Sequence, residues 1–256
     1  MKREKWTSYA WVSLLRWLIS GFYFCAWLGY RLFREALNLD TLPLDFVFLS
    51  SLVVLWLILT LVLRAQRKLR EVSLKMITAL ISLTEVKDPY AGGHSLHVAE
   101  KAVAIGEVMG LSREEIEDLR VAALLHDIGK IGMPSEVLHK PSRLTMAEFE
   151  VMKSHPAASV EIVQAWEPLA STIPTILHHH ERYDGKGYPH GLKGEEIPLL
   201  ARVLAVANSI EAMSSERPYR PAITREEIIA TLKEGAGSQW DPRVIEAAIK
   251  VVEKSS

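Results

Sequence analysis

Within five residues, His126-Asp127-Ile128-Gly129-Lys130 present an imidazole, a carboxylate and an ammonium. Imidazole beside carboxylate suits a divalent transition metal such as Fe, Mn or Zn, and the compact lysine charge suits a phosphate. A helix cap followed by a surface histidine has the same appearance, so the pentapeptide needs support from the rest of the chain. His155 lies ten residues after Thr145, on the side marked by Phe149 and Met152, and points inward if one helix carries all three. His178-His179-His180-Glu181 ends an apolar run from Ile173 to Leu177. Successive helical side chains point ~100° apart, so only two of these three imidazoles can share a centre. His94 and His97 stand one helical turn apart. Together these histidines can serve two adjacent metals, with Asp127 as the shared carboxylate. Two metals ~3.5–4 Å apart clamp the attacking and leaving oxygens of a phosphoryl displacement and lower the pKa of bound water. That chemistry needs cations for the phosphates, and Lys130, Arg217 and Arg220 are candidates, although Arg217-Pro-Tyr-Arg220 also reads as a surface turn.

These side chains need helices to position them. The apolar run Val121-Ala-Ala-Leu-Leu125 delivers His126 and Asp127 from the buried end of one. Ser112-Arg-Glu-Glu115, Thr145-Met-Ala-Glu148 and Thr224-Arg-Glu-Glu227 each place a hydroxyl three residues before a glutamate, the capping-box pattern. Gly110 closes one helix and Gly235/Gly237 another. No alternating strand run of useful length, repeat or low-complexity tract is present. The loop Tyr183 to Pro198 is dense in Gly and Pro and punctuates the helices. The body reads as all-α.

The two ends of the chain differ sharply. Five of seven tryptophans fall within the first sixty residues, and all nine histidines fall at or after His94. Leu44 to Leu63 is a twenty-residue apolar run without Gly or Pro, matching the ~30 Å hydrocarbon thickness of a bilayer. Trp6 to Tyr30 is a poorer second candidate because Arg16 lies inside it. The competing signal-peptide reading lacks a small-residue cleavage site after Gly29. Two transmembrane helices, about 6–30 and 44–63, are therefore expected within an anchor over 1–63. Lysine and arginine flank both outer ends, which places those ends and the body in the cytoplasm, on a multi-pass protein of the cytoplasmic (inner) membrane. A linker helix is expected over 64–86, with apolar spacing suited either to packing or to dimerisation. A formal net charge of −1 gives no basic field for nucleic acid, and the single Cys25 excludes an intramolecular disulfide framework.

His94, His126-Asp127, His155, His179-His180-Glu181, Asp184-Gly-Lys-Gly187-Tyr188-Pro189 and Arg217-Pro-Tyr-Arg220, in this order, resemble the HD-GYP family of bacterial cyclic di-GMP phosphodiesterases. That family is a branch of the HD metal-dependent phosphohydrolases, and the resemblance runs from about Glu85 to Val252, within an expected domain over 87–256. It implies one metal on His94, His126 and Asp127, and a second on Asp127, His155, His179 and His180. Two divalent transition metals, Fe or Mn, are expected. Lys130 would contact the scissile phosphate or assist the leaving oxygen, Arg217 and Arg220 would hold substrate phosphates, and the loop through Gly187, Tyr188 and Pro189 would shape the guanine end. The resemblance also links that loop to diguanylate cyclase domains and implies a homodimer. His178 and His97 receive no role.

The main departure is Asn208, where the family carries an aspartate that completes the first metal's shell. An amide oxygen brings no charge and binds a transition metal more weakly. Glu211, three residues on, is the nearest alternative carboxylate along the chain. Tyr90 stands where some members recruit a third metal through glutamate. The expected function is hydrolysis of cyclic di-GMP to pGpG or GMP by metal-activated water. The rivals are a weakened or inactive module that acts by binding, and a hydrolase for another nucleotide.

Overall fold

The computed structural model describes residues 50–66, 93–140, 142–215 and 222–254, with isolated positions between 21 and 35 and residues 68 and 79. The chain divides into two compact units, Met1–Val72 and Ser73–Ser256. In the first, residues 50–66 form an α-helix with Val53, Leu57, Ile58 and Leu61 exposed. No helix among the described residues is long and apolar enough to cross a membrane. The two expected transmembrane helices are therefore not supported. Most of the first span, and most of the linker helix over 64–86, lie outside the described residues.

The second unit is all-helical, as its sequence implies. Nine α-helices are described: α1 (His94–Met109), α2 (Arg113–Leu125), α3 (Ser135–Leu138), α4 (Met146–Met152), α5 (His155–Val163), α6 (Ile173–His178), α7 (Leu199–Ser214), α8 (Arg225–Gly235) and α9 (Pro242–Lys254). Among the described residues the only β pairing is two isolated bridges, Asp184 with Lys193 and Ala236 with Trp240. All three capping boxes form, each hydroxyl accepting from the backbone N–H of its glutamate and each glutamate accepting from the capping residue's N–H. Gly110 ends α1 at φ 76°, where the backbone needs the left-handed region.

α1 is the centre of the packing, with α2, α7 and α9 against it. Val98, Ala102 and Ile105 of α1 meet Leu119 and Ala122 of α2, Val203 and Ala207 of α7, and Val244 and Ala248 of α9 in one buried cluster. Small residues at Ala102, Ala122, Ala207 and Ala248 let the backbones approach closely. His94 opens α1, His126 and Asp127 follow the end of α2, and Asn208 lies on α7. The core that stabilises the unit therefore also aligns the site.

Candidate metal centre

α2 is buried through Leu125 and ends at His126, which is fully buried. Asp127 leaves the helix at φ −103°, ψ 4°, and opens a 3-10 turn over Ile128–Gly132. This turn lies on α5 backbone to backbone. A Cβ on Gly129 would sit 2.3 Å from the His155 carbonyl oxygen and 2.5 Å from the Ser159 nitrogen, so no side chain fits there. Ser159 locks the contact: its buried hydroxyl accepts from Gly129 N–H at 2.9 Å and donates to the His126 carbonyl at 2.8 Å.

The helix expected to run from Thr145 through His155 does not do so. α4 stops at Met152, and His155 opens α5 with Pro156 behind it. Pro156 has no N–H to continue a ladder and suits a helical first turn, so the break falls there. His155 still points inward, 2% exposed, with Nε2 3.2 Å from Asp127 Oδ1.

α6 ends at His178, which places His179 and His180 in the following turn beside His155. The ring of His179 also packs edge-on against His126, with centroids 5.0 Å apart. On the other side of the carboxylate, Asp127 Oδ2 lies 3.3 Å from His126 Nε2 and 3.9 Å from His94 Nε2. Two ligand groups result: His94 with His126 and Asp127, and Asp127 with His155, His179 and His180. Within each, one donor atom per residue falls within 4.8 Å of the others. Asp127 is common to both, as the sequence implies.

The hydrogen-bond pattern prepares these imidazoles to bind metal. Nδ1 of His126, His155 and His179 lies 2.8, 2.7 and 2.6 Å from the backbone carbonyls of Ala123, Met152 and Ile176. A carbonyl only accepts, so each Nδ1 carries the proton and each Nε2 keeps its lone pair. Those three Nε2 atoms and Asp127 Oδ1 are buried without a hydrogen-bond partner. Four orphaned polar atoms gathered at and around Asp127 would be costly in a purely structural core. They fit divalent metal.

Electrostatics agree with this assignment. Burial pushes the Asp127 carboxyl up, but the neighbouring His126, Lys130 and His155 outweigh it and hold it well below the usual range. Burial, then neighbouring histidines, keep His179 well below the ordinary imidazole value, and His180 is pushed down to about 3, first by burial. Carboxylate and neutral imidazoles are the ligating forms.

Lys130 donates to Asp127 Oδ2 at 2.6 Å and lines a cavity of about 340 Å³ with His94, Asp127, His179, His180 and Asn208. α7 brings Asn208 into this cavity, where its neutral amide stands in place of the expected carboxylate. Glu211 does not replace it. Its buried carboxylate pairs with Lys101 and accepts from Ser215 Oγ at 2.6 Å, while His97 Nδ1 lies 3.3 Å away. His97 thus belongs to the Glu211 cluster.

Gly187, Tyr188 and Pro189 flank this cavity without lining it. Tyr188 stacks on His180, with centroids 4.8 Å apart and an interplanar angle of 21°. A Cβ on Gly187 would meet Arg182 N at 2.3 Å, so glycine is needed there for backbone approach. Glu181, 4% exposed, holds the loop by accepting from His190 N–H at 2.7 Å and Leu192 N–H at 3.1 Å. Arg217 and Arg220 lie outside the described residues. Sequence reasoning missed Ser159 and assigned no task to Glu181; the four-residue offset of Ser159 from His155 on α5 was the only available hint.

A family model described as HD domain matches residues 78–244. The cyclic di-GMP phosphodiesterase response regulator RpfG of Xanthomonas campestris pv. campestris is 37% identical over 190 residues, covering 73% of this chain and 50% of its own length. A Vibrio cholerae cyclic di-GMP phosphodiesterase is 39% identical over 193 residues, covering 70% and 39% respectively. A 3'3'-cGAMP-specific phosphodiesterase 3 from the same organism is 36% identical over 177 residues, covering 69% and 38%. The chain thus spans half or less of these relatives. In fold it is similar to the V. cholerae cyclic GMP-AMP phosphodiesterase V-cGAP3, with a TM-score of 0.54 at 21% identity over 70% of this chain and 49% of that one. HD phosphohydrolases bind divalent metals, and this chain belongs to the HD-domain family, in its HD-GYP branch.

Proposed function

We propose that this protein is a metal-dependent phosphodiesterase that opens a cyclic dinucleotide, cyclic di-GMP first, to pGpG or GMP. The observation that carries the reading is the pair of ligand groups sharing Asp127 beside a cavity that Lys130 also lines. Iron or manganese bound there would supply a water nucleophile at neutral pH and positive charge for phosphoryl oxygens. The protein's own part is positional. His126, His155 and His179 present fixed Nε2 lone pairs, Asp127 binds from both oxygens, and Lys130 offers an ammonium to the scissile phosphate or the leaving oxygen. Arg217 and Arg220 would hold the other phosphate, and Tyr188 would bound the base end. The cyclase contact and the homodimer rest on the family resemblance.

Asn208 in the cavity favours a second reading, in which the module binds the dinucleotide and turns it over slowly or not at all. The deciding experiment loads the chain with manganese and follows cyclic di-GMP and 3'3'-cGAMP by chromatography, for wild type and Asp127→Ala. Wild type should hydrolyse cyclic di-GMP. Asp127→Ala should lose metal and turnover and keep its helix content. Fully metallated wild type that binds but does not cleave either dinucleotide would establish the binding reading. Loss of helix content in Asp127→Ala would make the His-Asp pair structural and sink both.

A further inference from the structure

The metal centre uses two of three consecutive histidines. The third, His178, ends α6 with its ring against His190 across the Gly-rich loop, centroids 5.2 Å apart. Its Nδ1 is buried, makes no hydrogen bond and stands 3.6 Å from Glu181 Oε1. One donor atom from each of His178, Glu181 and His190 lies within 4.8 Å of the other two. Donors bound at ~2.0–2.1 Å to a tetrahedral ion sit roughly 3.4 Å apart. The His178–Glu181 pair is already near that separation, and His190, exposed at the surface, is the ligand free to close.

Glu181 has the matching need. Its carboxylate is buried, and the two N–H groups that hold it are neutral backbone donors, so each oxygen retains a lone pair. A buried carboxylate next to an orphaned imidazole nitrogen is stabilised by a cation placed between them.

We propose that His178, Glu181 and His190 form a third metal site that shares no ligand with the two groups on Asp127. Two imidazoles and one carboxylate, with water in the fourth position, are the ligand set of a zinc-type ion. The ion would join the end of α6 to the loop that carries Tyr188, the residue stacked on His180. It would thus brace the rim of the phosphohydrolase centre from outside the catalytic shell, and the site stands whatever the chain hydrolyses.

The test is zinc content after equilibrium dialysis of the full chain against zinc alone. Wild type is compared with His190→Gln, and Asp127→Ala with the double variant Asp127→Ala/His190→Gln. Each His190→Gln chain should hold about one zinc fewer than its parent, and zinc should raise the thermal midpoint of Asp127→Ala more than that of the double variant. His178→Gln provides a second removal of the same site and should match His190→Gln. Equal zinc content within both pairs overturns the proposal, as does a loss with His190→Gln that His178→Gln does not reproduce.

Discussion

Ser159→Ala removes one oxygen that makes two buried hydrogen bonds, to Gly129 N–H and to the His126 carbonyl. The residue is fully buried, and the turn it holds touches α5 too closely at Gly129 for a side chain to fill the gap. One donor and one acceptor are then stranded, at about 1–3 kcal/mol each, so the expected loss is about 2–6 kcal/mol. With a urea slope of roughly 2 kcal/mol/M, the unfolding midpoint falls by about 1–3 M.

A second effect follows from where the contact sits. Asp127 belongs to the turn and His155 to α5, and their 3.2 Å approach spans the junction that Ser159 locks. Manganese affinity should therefore fall about 10–100-fold, as for other supporting groups of metal ligands. The assay is urea unfolding of chelator-stripped protein, followed by manganese titration. Gly129→Ala strains the same junction, so the double variant should cost less than the sum of the singles. A midpoint within about 0.3 M of wild type, or unchanged manganese affinity, would refute the assignment of Ser159 as the lock.

Two further outcomes are expected. Asn208→Asp should raise metal occupancy and increase turnover roughly tenfold; unchanged occupancy under limiting manganese would show that the amide costs the site nothing. Acid should destabilise the metal-stripped chain well before its carboxylates titrate. His180 is held near 3 and His179 well below its ordinary value, both primarily by burial, against ~6.5 unfolded. Between those limits the unfolded chain binds more protons, so stability falls as pH falls through that window. Asp127, also held low, adds stability that is full above ~3.9 and lost below it. A flat urea midpoint from pH 6.5 to 4.5 would contradict buried neutral imidazoles.

The residues that gather at the candidate centre were legible in the sequence because their types are rare and their order is constrained. His94, His126, Asp127, His155, His179 and His180 gather as expected. The three capping boxes were legible too, since a hydroxyl three residues before a glutamate is a local signal that tertiary packing does not override. What failed was inference across breaks. The face shared by Phe149, Met152 and His155 suggested one helix, yet His155 reaches the centre by starting a new one. Apolar composition over 44–63 suggested a span, yet no helix among the described residues is long and apolar enough to cross a membrane. Ser159 and Glu181 act through hydrogen bonds to backbone distant in the chain, for which the four-residue offset of Ser159 from His155 was the only hint.

Asn208 and Glu211 together determine how unequal the two ligand groups are. One helical turn separates them on α7, so Glu211 is the obvious carboxylate to replace the missing one. It is already committed. To turn toward the cavity it would have to leave Lys101 and Ser215 from a site where it is only 3% exposed. Breaking a buried pair in that way costs about 3–5 kcal/mol. The His94 side therefore has two imidazoles and a carboxylate oxygen to which Lys130 also donates, with only the neutral amide of Asn208 in the adjoining cavity. The opposite side has three imidazoles and the other oxygen of Asp127. With Asp127 as the only carboxylate of both groups among the described residues, the first divalent ion belongs on the His155, His179 and His180 side. A second ion is favoured once a phosphate brings negative charge into the cavity. Restoring aspartate at 208 should remove that dependence, making metal occupancy without nucleotide the most direct readout of what this substitution changed.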